Sequence, residues 1–328
     1  MKLNSGMFFK ITAASSLLAA ILFLGACSSD IEQPDPNLNI AYGTASPAQV
    51  LDLFLPEDSG GGNPADTVVL YIHGGAWVTG DKADSPVDEI RRIAAAKGCV
   101  AASMNYRLIT MANNTVHCDD MLNDIDLAIR CIKDRTASLG LGINKLVLVG
   151  VSAGAHLSLL YAYQHAEGDS PAPIPIVLCI SLSGPTDFTD PAWYTGMPVD
   201  PVIPSIQDDL KFPLISALTG EQFTPDDIQA MQEDSIDAGK RDALLKISPV
   251  HHVTGKVPTT ILAHGQKDGI VPFSNAERLK AKLDDAGVAP VPPKDRLTVF
   301  PNSGHTLAGD PDKLEVLFDV INEYIGNL

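Results

Sequence analysis

Gly150-Val151-Ser152-Ala153-Gly154 follows an apolar, strand-like run over residues 146–149 and opens a helix-like run over residues 155–163. A serine on a sharp strand-to-helix turn presents its hydroxyl at a strand's C-terminal end, and glycines on both sides allow the backbone approach that such a turn needs. Ser152 is therefore read as a nucleophile. Acyl transfer onto it would build an oxyanion, which calls for unobstructed backbone N–H groups. His73-Gly74-Gly75-Ala76-Trp77, directly after another apolar run, is the expected source. Gly75 and Ala76 are the donors expected from that loop, Gly74 permits the turn, and Ala153 adds the N–H next to the nucleophile. Trp77 would form one flat wall of the substrate pocket.

A serine nucleophile needs a base and an acid to orient it. Of the eight histidines, His305 stands in Ser303-Gly304-His305, between the last strand-like run and the last helix-like run. That loop can reach over a sheet edge. Asp268 follows the run at residues 259–263 and is expected to orient the imidazole of His305; Asp187, the rival acid, fits a hinge or helix cap better. The other histidines, His73, His117, His156, His165, His251, His252 and His264, read as structural or surface groups.

These loops require a scaffold. Continuous apolar runs at residues 68–72, 99–104, 146–149, 176–182, 259–263 and 297–300 have the composition of strands covered on both faces. Residues 49–55 alternate, with Leu51, Leu53 and Leu55 on one face, which predicts an early antiparallel strand with one wet side. Residues 60–64 form a turn. Between the strands the spacing predicts helices over 119–135, 275–286 and from Asp310-Pro311 onward, and one capped by Ser85 with Pro86 in its first turn. The pattern is that of a mostly parallel sheet with helices on both faces. Residues 184–258 break the rhythm with many prolines and acidic clusters but no strand-length apolar run. They predict a lid or cap insertion over the C-terminal edge of the sheet, and a poor source of any long greasy groove.

The start of the chain has another character. Lys2 and Lys10 precede an apolar run over residues 11–26, too short for a span of about 20 residues. Residues 1–26 are expected to be a secretion signal ending in Leu24-Gly25-Ala26-Cys27, which resembles a bacterial lipobox with Cys27 as the lipidation site. Residues 27–39 would be a tether and 40–328 the folded domain. The 40 acidic against 23 basic residues give a net charge of −17, which repels nucleic acid and anionic lipid, so membrane contact is expected through the lipid anchor only. Cys118 and Cys131 are too far apart along one helix to be bridged, and Cys99 and Cys179 read as buried thiols. No metal-ligand spacing appears, and the chemistry requires neither metal nor cofactor.

The order Ser152, Asp268, His305, together with Asp52-Leu53-Phe54-Leu55-Pro56, Asn105-Tyr106-Arg107-Leu108 and Ser248-Pro249-Val250, resembles the α/β-hydrolase superfamily. Within it the chain is similar to hormone-sensitive-lipase-like and feruloyl- or acetyl-esterase-like (BD-FAE-like) bacterial carboxylesterases, from about residue 40 to the C-terminus. The resemblance implies an α/β-hydrolase fold with an eight-stranded, mostly parallel sheet and a Ser152–His305–Asp268 triad. It also implies a small-molecule or carbohydrate ester as substrate, and the lipobox at Cys27 implies a lipid-anchored place in the bacterial cell envelope, at its periplasmic or outer face. The chain departs from it at Ala76, where the family usually has a third glycine. Two rival functions share these residues: an exopeptidase or amidase of the prolyl-peptidase type, and an inactive envelope lipoprotein that only binds.

Overall fold

The computed structural model describes residues 35–56, 66–167, 170–194, 208–233, 235–289 and 295–328. The expected signal segment, Cys27 and the turn at residues 60–64 lie outside them. Eight strands make one sheet: β1 (Ile40–Ala41), β2 (Val50–Phe54), β3 (Thr67–Ile72), β4 (Val100–Met104), β5 (Lys145–Val151), β6 (Ile176–Leu182), β7 (Thr259–Gly265) and β8 (Leu297–Phe300). Their order is β1-β2-β4-β3-β5-β6-β7-β8, with β1 and β2 antiparallel and the rest parallel. Eight helices stand among the described residues: α1 (Val87–Ala96), α2 (Cys118–Ser138), α3 (Ala153–Gln164), α4 (Asp208–Thr219), α5 (Pro225–Gln232), α6 (Ala238–Ile247), α7 (Phe273–Asp285) and α8 (Pro311–Gly326). This is the α/β-hydrolase fold.

Strand β3 shows why these runs are apolar throughout. Val68, Leu70 and Ile72 enter one core with Ile125, Ile129 and Leu157. Val69 and Tyr71 enter the other with Ile90, Ile93, Leu317 and Ile321. Both faces are dry, so each residue contributes a burial gain of about 1.5 to 3 kcal/mol wherever it points. The chain leaves β3 for β4 on one side and returns to β5 on the other. The sheet's switch point therefore lies between β3 and β5, where an open α/β sheet offers a crevice at its C-terminal edge. The loop after β3 begins at His73 and the turn after β5 holds Ser152, so both meet there.

Several expectations need correction. The second face of β2 is not wet: Asp52 is buried and pairs with the buried Lys82 at 2.7 Å. Leu55 lies past the strand and is exposed. Ser85 does not cap α1, whose first turn begins at Val87 with Pro86 in the cap position and no side-chain cap bond. Instead the Ser85 carbonyl accepts from the Tyr71 hydroxyl. The tether ends earlier than residue 39, because Leu53 N–H donates to the Asn37 carbonyl and Asn39 N–H to Asp52 Oδ1. The folded unit runs from Pro36 to Leu328. Residues 184–258 contain α4, α5, α6 and two short 3₁₀ turns, with no strand among the described residues.

Candidate active site

Ser152 sits between β5 and α3 with φ +52° and ψ −118°, a backbone conformation costly for a residue with a side chain. Neighbouring packing enforces it. A Cβ on Gly154 would stand 2.1 Å from the Ile72 carbonyl oxygen, and one on Gly150 would stand 2.4 Å from the Ala155 nitrogen. Only glycines at both positions let the turn close against β3. The Ser152 hydroxyl is 2.8 Å from His305 Nε2, and His305 Nδ1 is 2.8 Å from Asp268 Oδ2. The three side chains come from the ends of β5, β7 and β8, far apart in sequence, and form one hydrogen-bonded line.

Asp268 is nearly fully buried and more heavily supported than sequence spacing suggests. Its Oδ1 accepts from the Ile270 and Val271 backbone N–H groups, both at 2.9 Å. Its Oδ2 faces a second imidazole, His264 Nε2, at 3.2 Å. Burial pushes the carboxyl up, but hydrogen bonds from His264 and His305 outweigh it and hold Asp268 well below the usual carboxylate range. His264, read from sequence as a structural or surface group, thus belongs to the site. The one available signal was its place four residues before Asp268. The rival acid Asp187 is elsewhere: it pairs with Arg278 at 2.7 Å and accepts from Thr189.

On the oxyanion side Gly75, Ala76 and Trp77 all adopt positive φ, at 104°, 51° and 62°. Ala76 takes the left-handed conformation despite its side chain, a cost of about 1 to 2 kcal/mol. Gly74 lies against the nucleophile turn, where a Cβ would be 3.0 Å from the Val151 carbonyl oxygen. The Gly75 carbonyl accepts from Val78 and Thr79 and closes the loop. Ala153 is the first residue of α3, so its N–H points out of a helix N-terminus, where negative charge is favoured. His73 is structural: it is buried, stacks on Tyr106 and bonds the Gly74 carbonyl. Tyr106 in turn donates to the His73 carbonyl, and Arg107 pairs with the buried Asp124.

A cavity of about 30 Å³ opens beside Ser152 and Ala76, room for about two waters. Trp77, Phe188 and Trp193 line one part, and Leu214 and Ile215 of α4 another. The insertion therefore supplies an apolar wall, contrary to its polar composition, because α4 turns these two buried side chains inward. Trp77 is itself fixed: its indole N–H donates to His156 Nδ1 at 3.2 Å, and His156 Nε2 donates to the Ile247 carbonyl at 2.7 Å. Complete burial keeps that imidazole neutral and pushes its pKa down to about 4.

An unfolded histidine titrates near 6.5, so below that pH the unfolded chain binds a proton that folded His156 refuses. Stability is full above about 6.5 and falls as pH drops toward 4. At pH 4.5 the loss through this one group is about 2 to 3 kcal/mol. Urea unfolding of the wild type and of His156→Asn at both pH values measures it. The variant is expected to be weaker at pH 7 and to lose clearly less on acidification; equal acid losses would contradict the account.

Among the described residues no group of three or more His, Cys, Asp or Glu side chains could hold a metal ion. The described cysteines Cys99, Cys118, Cys131 and Cys179 are free thiols. Burial pushes the Cys99 thiol up to about 11.

A family model described as BD-FAE matches residues 51–283. Cholinesterase 2 of Branchiostoma lanceolatum is 37% identical over 79 residues, a match covering 23% of this chain and only 23% of that protein. Among solved structures, Esterase B from Lactobacillus rhamnosis superposes with a TM-score of 0.64 at 19% identity, covering 88% of this chain and 85% of that one. A truncated carbohydrate esterase from gut microbiota gives 0.61 at 18% identity, covering 89% and 96%. An esterase of Thermogutta terrifontis with propionate bound gives 0.58 at 21%, covering 88% and 94%. At such identities the likeness to these three is one of fold.

Proposed function

The chain belongs to the BD-FAE family and is an esterase of the α/β-hydrolase type, and from that premise we propose a serine carboxylesterase that releases short or aromatic acyl groups, carbohydrate esters among its substrates. The observation that carries this reading is the hydrogen-bonded line from Ser152 through His305 to Asp268 at a strained strand-to-helix turn. Ser152 Oγ attacks the ester carbonyl while His305 Nε2 takes its proton. The carbonyl oxygen, now an anion, is received by the N–H groups of Ala153 and of the Gly75-Ala76 segment. The intermediate collapses as His305 returns the proton to the departing alcohol oxygen. Water repeats the sequence on the acyl-enzyme, giving the acid and free Ser152. A fluorophosphonate probe should form its adduct on Ser152, as read by peptide mass, and should do so more slowly in the presence of excess nitrophenyl acetate, which competes for the same serine. An adduct on another residue would refute the assignment.

The small apolar cavity supports the acyl preference. An acetyl or butyryl chain, or with modest opening a flat aromatic ring, fits against Trp77, Phe188 and Trp193, whereas a twelve-carbon chain is larger than this cavity. Nitrophenyl acetate or butyrate should be turned over at least about 10-fold faster in kcat/KM than the laurate ester, about 1.4 kcal/mol of differential transition-state binding. Equal or better laurate hydrolysis would contradict the short acyl site.

We further propose that Cys27 carries a lipid anchor holding the enzyme at a bacterial envelope. The nine residue steps from Cys27 to Pro36, where the folded unit begins, reach at most about 32 Å from a membrane. Cys27→Ala should move the protein from the membrane fraction to the soluble one with its esterase activity intact. Continued membrane association of this variant would refute the anchor.

A further inference from the structure

The Ser152–His305 pair stands between two cavities of opposite character. The apolar one is lined by Ser152 and not by His305. The second, a groove of about 1200 Å³, is lined by His305 and not by Ser152, and runs between the beginning of α1 and the face of α8 as far as Asp319. Its inner surface is apolar, with Val87 and Leu307 buried and Leu314 and Phe318 half-buried. Its outer surface carries the carboxylates of Asp88, Glu89, Glu315 and Asp319 against one guanidinium, that of Arg92. Glu89 is paired with Arg92 and Asp88 with Arg91, so the groove's net negative charge falls to Glu315 and Asp319 on α8.

The chemistry of the reaction assigns the groove a role. When the tetrahedral intermediate collapses, the bond between carbonyl carbon and alcohol oxygen breaks. That oxygen then takes the proton from His305 Nε2. The departing alcohol must therefore lie on the imidazole's side of Ser152, while the acyl group keeps to the apolar side. Resting on the esterase reading, we propose that the groove between α1 and α8 is the alcohol-side subsite, and that its carboxylates select neutral or cationic polyhydroxylated alcohols over anionic ones. A pyranoside matches both surfaces. Its C–H face covers the Phe318 ring and Leu314, and its hydroxyls donate to the carboxylates in charge-assisted hydrogen bonds. An alcohol carrying its own carboxylate meets the like charges of Glu315 and Asp319, while Asp88 and Glu89 are already paired with Arg91 and Arg92.

A matched pair tests this: methyl 3-O-acetyl-β-glucopyranoside and the same compound with C6 oxidised to the uronic acid. The wild type should favour the neutral ester by about 10-fold in kcat/KM at low ionic strength, falling to about 3-fold in half-molar salt. In Glu315→Lys/Asp319→Lys the ratio should drop to about 1 or invert. A ratio measured within one sample is insensitive to the folded fraction. Asp134→Lys/Asp242→Lys changes the net charge equally on exposed positions of α2 and α6, and should leave the ratio near its wild-type value. A wild-type ratio near 1, or an equal response to the control reversals, overturns the subsite while nitrophenyl acetate hydrolysis upholds the esterase reading. A chain that cleaves neither nitrophenyl acetate nor either glucoside overturns both.

Discussion

Replacement of Ser152 or of His305 by Ala should lower kcat by about 10⁴ to 10⁶, with the double variant no worse than either single one. The expectation rests on the 2.8 Å contact between Ser152 Oγ and His305 Nε2. A hydroxyl without its base is a poor nucleophile, and the base without the hydroxyl has nothing to activate but water, so each loss disables the whole unit. What survives is the contribution of the oxyanion donors and of substrate positioning, about 10³ to 10⁴ over the uncatalysed rate. Ser152→Ala keeps a side chain at φ +52° and therefore the same backbone strain, so its unfolding midpoint should match the wild type. Steady-state hydrolysis of nitrophenyl acetate decides the matter. Residual activity above a tenth in either single variant would remove Ser152 and His305 from these roles.

What the sequence made legible was local. Residues 146–149 are apolar on both faces and are followed by Gly-x-Ser-x-Gly and a helical run, so strand, turn and nucleophile could all be read within about twenty residues. Strands β3 and β6 were readable for the same reason, since a strand covered on both faces is almost continuously apolar, while β8, an edge strand half-buried at three of its four positions, was legible only as a short apolar run. The misreadings were tertiary. Asp52 and Lys82 look like surface charges until the fold brings them together, and only the pairing across 30 positions shows why a wet face was the wrong expectation. Strand β1 has two residues, too few for any period. Leu214 and Ile215 lie in a polar, proline-containing segment whose inward face depends on where α4 packs. His156 and His264 bear no motif of their own. Their parts come from Trp77 and Asp268, one distant in the chain and one four residues away across a bend.

That bend makes Asp268→Asn the sharper test of the triad. Asp268 Oδ1 is held by two backbone N–H groups, from Ile270 and Val271. An Asn at this position must keep its carbonyl oxygen there, or leave both N–H groups buried and unpaired at about 1 to 3 kcal/mol each. Its amide nitrogen then takes the place of Oδ2 and points N–H bonds at His305 Nδ1 and His264 Nε2, where the wild type has an acceptor for both. His264 can satisfy its own N–H on the Val271 carbonyl at 3.1 Å, whereas His305 now meets a donor at Nδ1. It must shift its proton to Nε2, leaving Nδ1 to accept. In that tautomer Nε2–H faces Ser152 and cannot take the hydroxyl proton, so kcat should fall by about 10⁴, the loss known for this change in a chymotrypsin-type triad, with little change in KM. Fluorophosphonate labelling of Ser152 should slow in parallel, since it needs the same base. If Asp268→Asn kept more than a tenth of wild-type kcat, the carboxylate would not be orienting His305, and the acid of the triad would have to be sought elsewhere.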